Sequence, residues 1–126
     1  MIPEILHVGI QAGDVYLRKG DHWLARSGYT GFGAVHIWSV HEYELRKMGY
    51  LIIEDVAAYV AKIIQPGTEI YFESNKNPKK RLTVLRSHFG ILALEPRNDR
   101  DTGFGYQVVS AYPTRQARGT LVGTTK

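Results

Sequence analysis

The sequence predicts an α+β domain in which an N-terminal hairpin and two helices precede an antiparallel sheet of about four strands. Three observations point there. Apolar residues recur at helical spacing over 34–48 and 53–64, they fall into short strand-like runs beyond residue 69, and turn-forming residues divide the segments at short intervals. The chain has 126 residues, 44% hydrophobic and 22% charged, with 13 Gly and 5 Pro, which is the usage of one globular domain over 1–126. A domain of this length buries about two-thirds of the surface its unfolded chain exposes and needs neither metal nor disulfide to fold. It contains no Cys, which removes disulfides, thiolate metal sites and cysteine nucleophiles together. The longest nearly uncharged apolar stretch, 48–53, is too short to span a bilayer. The first ten residues carry neither the basic n-region nor the cleavage site of a signal peptide.

Each element has its own signature. Residues 5–10 and 15–17 are apolar runs separated by Gln11-Ala12-Gly13-Asp14, a hairpin pattern. Lys19-Gly20-Asp21 is a second turn, and SGYTGFG at 27–33, with three glycines in seven residues, reads as a loop. Val35, Ile37, Trp38, Val40, Tyr43, Leu45 and Met48 give the first helix its apolar positions, and Gly49 can take the left-handed conformation that ends it. In the second helix, 53, 56, 57, 60, 63 and 64 mark one face. Glu54 and Asp55 suit its positive end, and Gln65-Pro66-Gly67 stops it. The strands follow at 69–73, 81–87, 89–95 and 106–111, joined by the polar stretch 74–78, a bend at His88 and the glycine-containing 98–103. Residues 114–126 are polar and basic and read as a tail that frays.

Sixteen Lys and Arg against twelve Asp and Glu leave a net charge of +4, which favours a polyanionic partner, nucleic acid above all, or an acidic protein. Several chemistries are excluded. GFGAVH and GFGYQV lack the third glycine of a dinucleotide fingerprint, there is no phosphate-binding Walker loop, and HEYEL has Leu where a zincin has its second His. No metal or cofactor is therefore expected.

Three features remain. His36 and His41 lie five residues apart, about 140° around an ideal helix. Either one is packed and one exposed, or the helix begins between them and the rings converge as general acid and base. Lys76, Lys79, Lys80, Arg81 and Arg86 form a run with no acidic residue among them. Such a run is a solvated face or a grip on phosphates, and Arg115 adds to it from the tail. Arg86 shares a strand face with Leu82 and Val84, which would hold its guanidinium in place. Ser110 and Tyr112 alternate onto one face of the last strand, where a hydroxyl and a phenol could orient a phosphate or a ribose, or simply end a strand before Pro113. His, Arg, Ser and Tyr in a basic, cysteine-free domain fit metal-independent RNA cleavage. That reaction needs a base for the ribose 2′-hydroxyl, charge for the phosphorane and an acid for the departing 5′-oxygen.

The segments GAVHIWSVHEYELRKMGY, KNPKKRLTVLRS and YQVVSAYP, spread over 31–113, resemble the barnase–EndoU–colicin–RelE (BECR) group of small ribonucleases. Within that group they resemble the C-terminal toxin domains of contact-dependent growth-inhibition proteins and their phage-encoded relatives. The resemblance implies two helices on a twisted antiparallel sheet and RNase activity, commonly on tRNA. It also implies neutralisation by a cognate immunity protein, acidic by charge complementarity, with a host protein factor as a further partner. The family's His corresponds to His36 or His41, its sheet Arg to Arg86 or Arg81, and its closing hydroxyl to Ser110, where relatives often have Thr. Such a domain is secreted or displayed at the cell surface as part of a larger protein and acts in the target cell's cytoplasm, a passage that an absence of Cys suits. The competing readings are an mRNA endoribonuclease of phage or toxin–antitoxin type, a non-catalytic RNA-binding module stacking bases on Tyr71, Phe72 or Tyr106, and an interaction domain with no nucleic acid ligand.

Overall fold

The computed structural model describes residues 1–26, 28–73, 82–113 and 119–126. Along the chain run β1 (Asp14–Tyr16), β2 (Asp21–Ala25), β3 (Gly28–Phe32), α1 (Gly33–Lys47), α2 (Val56–Ile63), β4 (Glu69–Glu73), β5 (Leu82–Ser87), β6 (Gly90–Asp99), β7 (Gly103–Tyr112) and β8 (Thr120–Thr124). Six strands form one sheet in the order β1-β7-β6-β5-β4-β8, and β2 pairs with β3 in a separate ribbon. Every pairing is antiparallel except that of β1, which runs parallel to β7. The class is α+β with two α-helices, as the sequence predicts, on a sheet of six strands where about four are expected. Among the described residues no helix is long and apolar enough to cross a membrane.

Helical periodicity decides what α2 buries. Val56, Tyr59, Val60 and Ile63 are inaccessible at i, i+3, i+4 and i+7, in one core with Ile70, Leu85, Leu92, Leu94, Val108 and Ala111 of the sheet. A single 3-10 turn, Ile53–Asp55, precedes the helix, and Asp55 closes it by accepting the Leu51 N–H at 2.9 Å. The Tyr59 hydroxyl donates to the Phe89 carbonyl at 2.8 Å and fastens α2 to the β5–β6 turn. From α1, Ile37 and Leu45 enter the same core.

Four expectations are corrected. The N-terminal hairpin does not form: Ile2 bridges to Gly13 and Ile5 to Ile10, while 14–16 joins the edge of the sheet instead. Ile2, Ile5 and Ile10 all sit in the core, so burial of the three side chains outweighs pairing of the two runs. The glycine-rich segment at 27–33 is a strand over 28–32, because Gly31 lies opposite His22 and a Cβ there would run into the Asp21 carbonyl. Glycine serves close approach there, not a loop. The tail does not fray as a whole, since β8 covers the edge of β4. Beyond it, the Thr125 hydroxyl accepts the Thr68 N–H at 3.0 Å and donates to the Gln65 carbonyl at 2.6 Å. The predicted strands at 89–95 and 106–111 are the inner parts of a longer hairpin, Gly90–Asp99 with Gly103–Tyr112. The link 74–78, Arg81 and the tail residues 114–118 lie outside the described residues.

The start of α1 sets the position of the candidate site. Phe32 offers no side-chain cap. The helix's first N–H groups instead donate to the chain that precedes β2, Ala34 to the Arg18 carbonyl at 2.9 Å and Val35 to the Lys19 carbonyl at 2.8 Å. Gly33 makes this possible, with φ at 78° and an ideal Cβ position only 2.5 Å from the Arg18 oxygen. Arg18 is itself held by Asp99 at 2.6 Å. We expect Gly33→Ala to destabilise the domain by about 2 to 5 kcal/mol, the left-handed penalty plus overpacking. Gly67→Ala, at φ 87° with open space around it, should cost about 1 to 2 kcal/mol. Urea midpoints of the two variants measure the difference.

Candidate functional site

The ribbon β2–β3 and the start of α1 bring two histidines together. His22 pairs with Gly31 across the ribbon, and five residues after Gly31 the first turn of α1 carries His36. Their Nδ1 atoms are 3.0 Å apart and their rings are inclined at 35°. Both side chains are half-buried. At that distance one Nδ1–H donates to the other Nδ1, so a single proton joins the rings. Burial first, then His22, then His41, hold the His36 imidazole below its ordinary value, because a cation there would lose hydration and face two other imidazoles.

His41 is placed differently. It lies on the inward stripe of α1 between Ile37 and Leu45, with its side chain 13% exposed. The helix breaks there, at φ −120° and ψ 19°. Its ring meets that of Tyr112 edge-on, with centroids 5.5 Å apart, and its Nδ1 is 3.7 Å from a Glu44 oxygen. Thus His36 is already inside α1, His41 packs behind it, and the ring that His36 touches is that of His22. Sequence reasoning missed His22 because 27–33 is taken as a loop. Read as a strand folded back on DHWLA, the same glycines would have set His22 beside the first turn of the helix.

The sheet aligns the remaining candidates. Glu69, Arg86, Ile91 and Tyr112 form one cross-strand row, and Tyr71, Val84, Ala93 and Ser110 form the next. Directly opposed residues point the same way, as do residues two apart. Ser110 and Tyr112 therefore share a face, as their alternation predicts, and the register adds Arg86 to it. Arg86 and Tyr112 are two strands apart, about 10 Å. The Arg86 guanidinium is exposed and donates to the Tyr71 hydroxyl at 3.2 Å. That hydroxyl in turn donates to a Glu69 oxygen at 3.1 Å. The Tyr71 contact pushes Arg86 further up, so it stays a cation. Ser110 is 3% exposed and its hydroxyl finds no hydrogen-bond partner among the described residues. Phe72 packs against the core, and Tyr106 is buried with its hydroxyl donating to the Gln11 carbonyl at 2.6 Å. The two cannot join Tyr71 in a stacking platform. Lys76, Lys79, Lys80, Arg81 and Arg115 lie outside the described residues. Among those described, no group of three His, Asp or Glu is arranged to hold a metal ion.

Fold and geometry define two features: a hydrogen-bonded histidine pair at a helix start, and a sheet face that bears an arginine held by Tyr71. No family model matches the chain, and no curated protein or solved structure matches it.

The depressed His36 has a consequence for stability. The unfolded chain titrates near 6.5 and the folded one lower, so between those values the unfolded state binds more protons. Stability from this group is fully present above pH 6.5 and is lost as pH falls towards the folded value. We expect the urea midpoint of the wild type to drop more steeply from pH 7.5 to pH 5 than that of His36→Gln. Parallel curves would show that His36 carries no such linkage.

Proposed function

We propose that the domain is a metal-independent endoribonuclease of the barnase–EndoU–colicin–RelE type, a toxin that cuts tRNA by attack of the 2′-hydroxyl and leaves a 2′,3′-cyclic phosphate. The observation that carries this is the contact of His22 with His36. An imidazole whose cation is disfavoured keeps its lone pair at neutral pH, as a general base for a hydroxyl must. Arg86, exposed and held by Tyr71, is a fixed cation for the phosphorane. Tyr112, against His41, links the helix to the same face. The net charge of +4 and the run from Lys76 to Arg86 supply phosphate attraction without sequence preference. The same basic run suits an acidic immunity protein. In this reading the domain is delivered as part of a larger protein to act inside a target cell.

Incubation with total tRNA in EDTA tests the reading. Cleavage to cyclic phosphate ends should persist, and activity that vanishes in EDTA and returns with Mg²⁺ would contradict it. His36→Ala and Arg86→Ala should each lower the cleavage rate by about 10² to 10⁴ while the variants stay folded. Ser110→Ala should do less, because its hydroxyl is buried. Replacing Lys79 and Lys80 by Ala should lower the salt slope of tRNA binding by about 1 for each lysine removed, and an unchanged slope would assign the run to a solvated surface.

A further inference from the structure

Phe89 stands in the turn of the β5–β6 hairpin and is 41% exposed. Both of its backbone groups are bonded to side chains. Its N–H donates to the Ser87 hydroxyl at 3.1 Å, and its carbonyl accepts the Tyr59 hydroxyl at 2.8 Å. Lys62, one turn after Tyr59 on α2, sets its ammonium 4.8 Å from the centroid of the Phe89 ring. An exposed aromatic ring is thus displayed on a fixed backbone with a cation over it.

Position relates this ring to Arg86. Arg86 lies three residues before Phe89, so their Cα atoms are at most about 11 Å apart. Arg86 shares its sheet face with Tyr112, whereas α2 packs with Leu85 and Leu92 on the opposite face. The hairpin turn lies where the two faces meet, with Arg86 on one side of it and Lys62 on the other. The aromatics of the sheet itself are engaged elsewhere. Tyr71 holds Arg86, Phe72 packs against the core, and Tyr106 is buried.

A ring between two exposed cations suits one kind of partner. A protein that covered it with apolar side chains would take Lys62 and Arg86 out of water. A single-stranded nucleic acid brings a π face for the ring and phosphates for the charges. Every base has such a face, so the contact tolerates any sequence, but only a base outside a duplex can offer it.

We propose that Phe89 and Lys62 form a stacking subsite for an unpaired base of the RNA, beside the phosphate that Arg86 meets. This rests on the ribonuclease reading and deepens it by naming the substrate class as single-stranded RNA, such as a tRNA loop, and not a base-paired stem. The base takes the ring face that Lys62 leaves open. Phe89 moves no proton, so its contribution lies in binding and positioning the strand.

Binding and cleavage test the subsite separately on the intact domain. The binding probe is a fluorescein-labelled single strand of 2′-O-methyl RNA, which has no 2′-hydroxyl to attack and stays intact. The wild type should bind it more tightly than the same strand in a duplex. Phe89→Ala should weaken single-strand binding about 10- to 100-fold, and Phe89→Tyr should keep it. On tRNA, Phe89→Ala should raise KM by a similar factor with kcat nearly unchanged. If Phe89→Ala fails to fold, Phe89→Leu, which keeps an apolar side chain without a π face, carries the same expectation. Wild-type affinity and KM in these variants, or equal affinity for strand and duplex, would overturn the subsite and leave the ribonuclease. Single-strand binding that depends on Phe89, without cleavage of tRNA, would overturn the ribonuclease reading and leave the subsite. Neither binding nor cleavage would overturn both.

Discussion

The placement of the histidine pair depends on two backbone carbonyls. Those of Arg18 and Lys19 accept the first N–H groups of α1, which no side chain caps. An orphaned buried N–H costs about 1–3 kcal/mol, so these bonds hold the chain before β2 against the helix start. Everything near them follows. The Arg18 side chain reaches Asp99 at the end of β6. The Asp101 backbone N–H first, and Arg18 second, hold that carboxyl below the usual range. Gly33 gives the room, and the ribbon β2–β3 then lies where His22 faces His36. A helix terminus, a two-stranded ribbon and the long β6–β7 hairpin are thereby tied at one corner.

Charge is divided between two parts of the molecule. The His36 imidazole is half-buried beside those of His22 and His41 and resists a positive charge. Arg86 is exposed, with a phenol and a carboxylate behind it, and keeps one. In the proposed reaction, proton transfer is assigned to groups that are neutral at physiological pH, and phosphate charge to a group that never is. A lysine in the place of Arg86 would keep the charge but lose the planar fork that can face Tyr71 and a phosphate together. His41 contributes from behind, as a packed ring that raises the cost of charging His36 and joins α1 to Tyr112.

Much of this is legible in the sequence where one periodicity governs a segment. The strand at Glu69–Glu73 has its predicted bounds, Val56, Val60 and Ile63 of the predicted α2 face are buried although Ala57 is exposed and Tyr59 takes its place in the core, and Ser110 and Tyr112 share a face as strand alternation requires. The misreadings have a common cause, which is contact at long range. Gly31 reads as flexible but is a glycine because Asp21 lies against it. The run 15–17 reads as half of a local hairpin, but 14–16 pairs with residues 105–107. The polar segment 120–124 becomes a strand because the edge of β4 is open to it. His22 is hidden for the same reason. Nothing local marks it, and its partner lies across a turn and into the next helix.

The central claim is that His22 and His36 are energetically coupled through one shared proton. A double-mutant cycle of unfolding free energies for wild type, His22→Ala, His36→Ala and the double variant measures this directly. The account predicts a coupling of about 1 kcal/mol at pH 8, shrinking or reversing at low pH where both rings hold protons. Single-variant effects that add to within about 0.3–0.5 kcal/mol at pH 8 would contradict it.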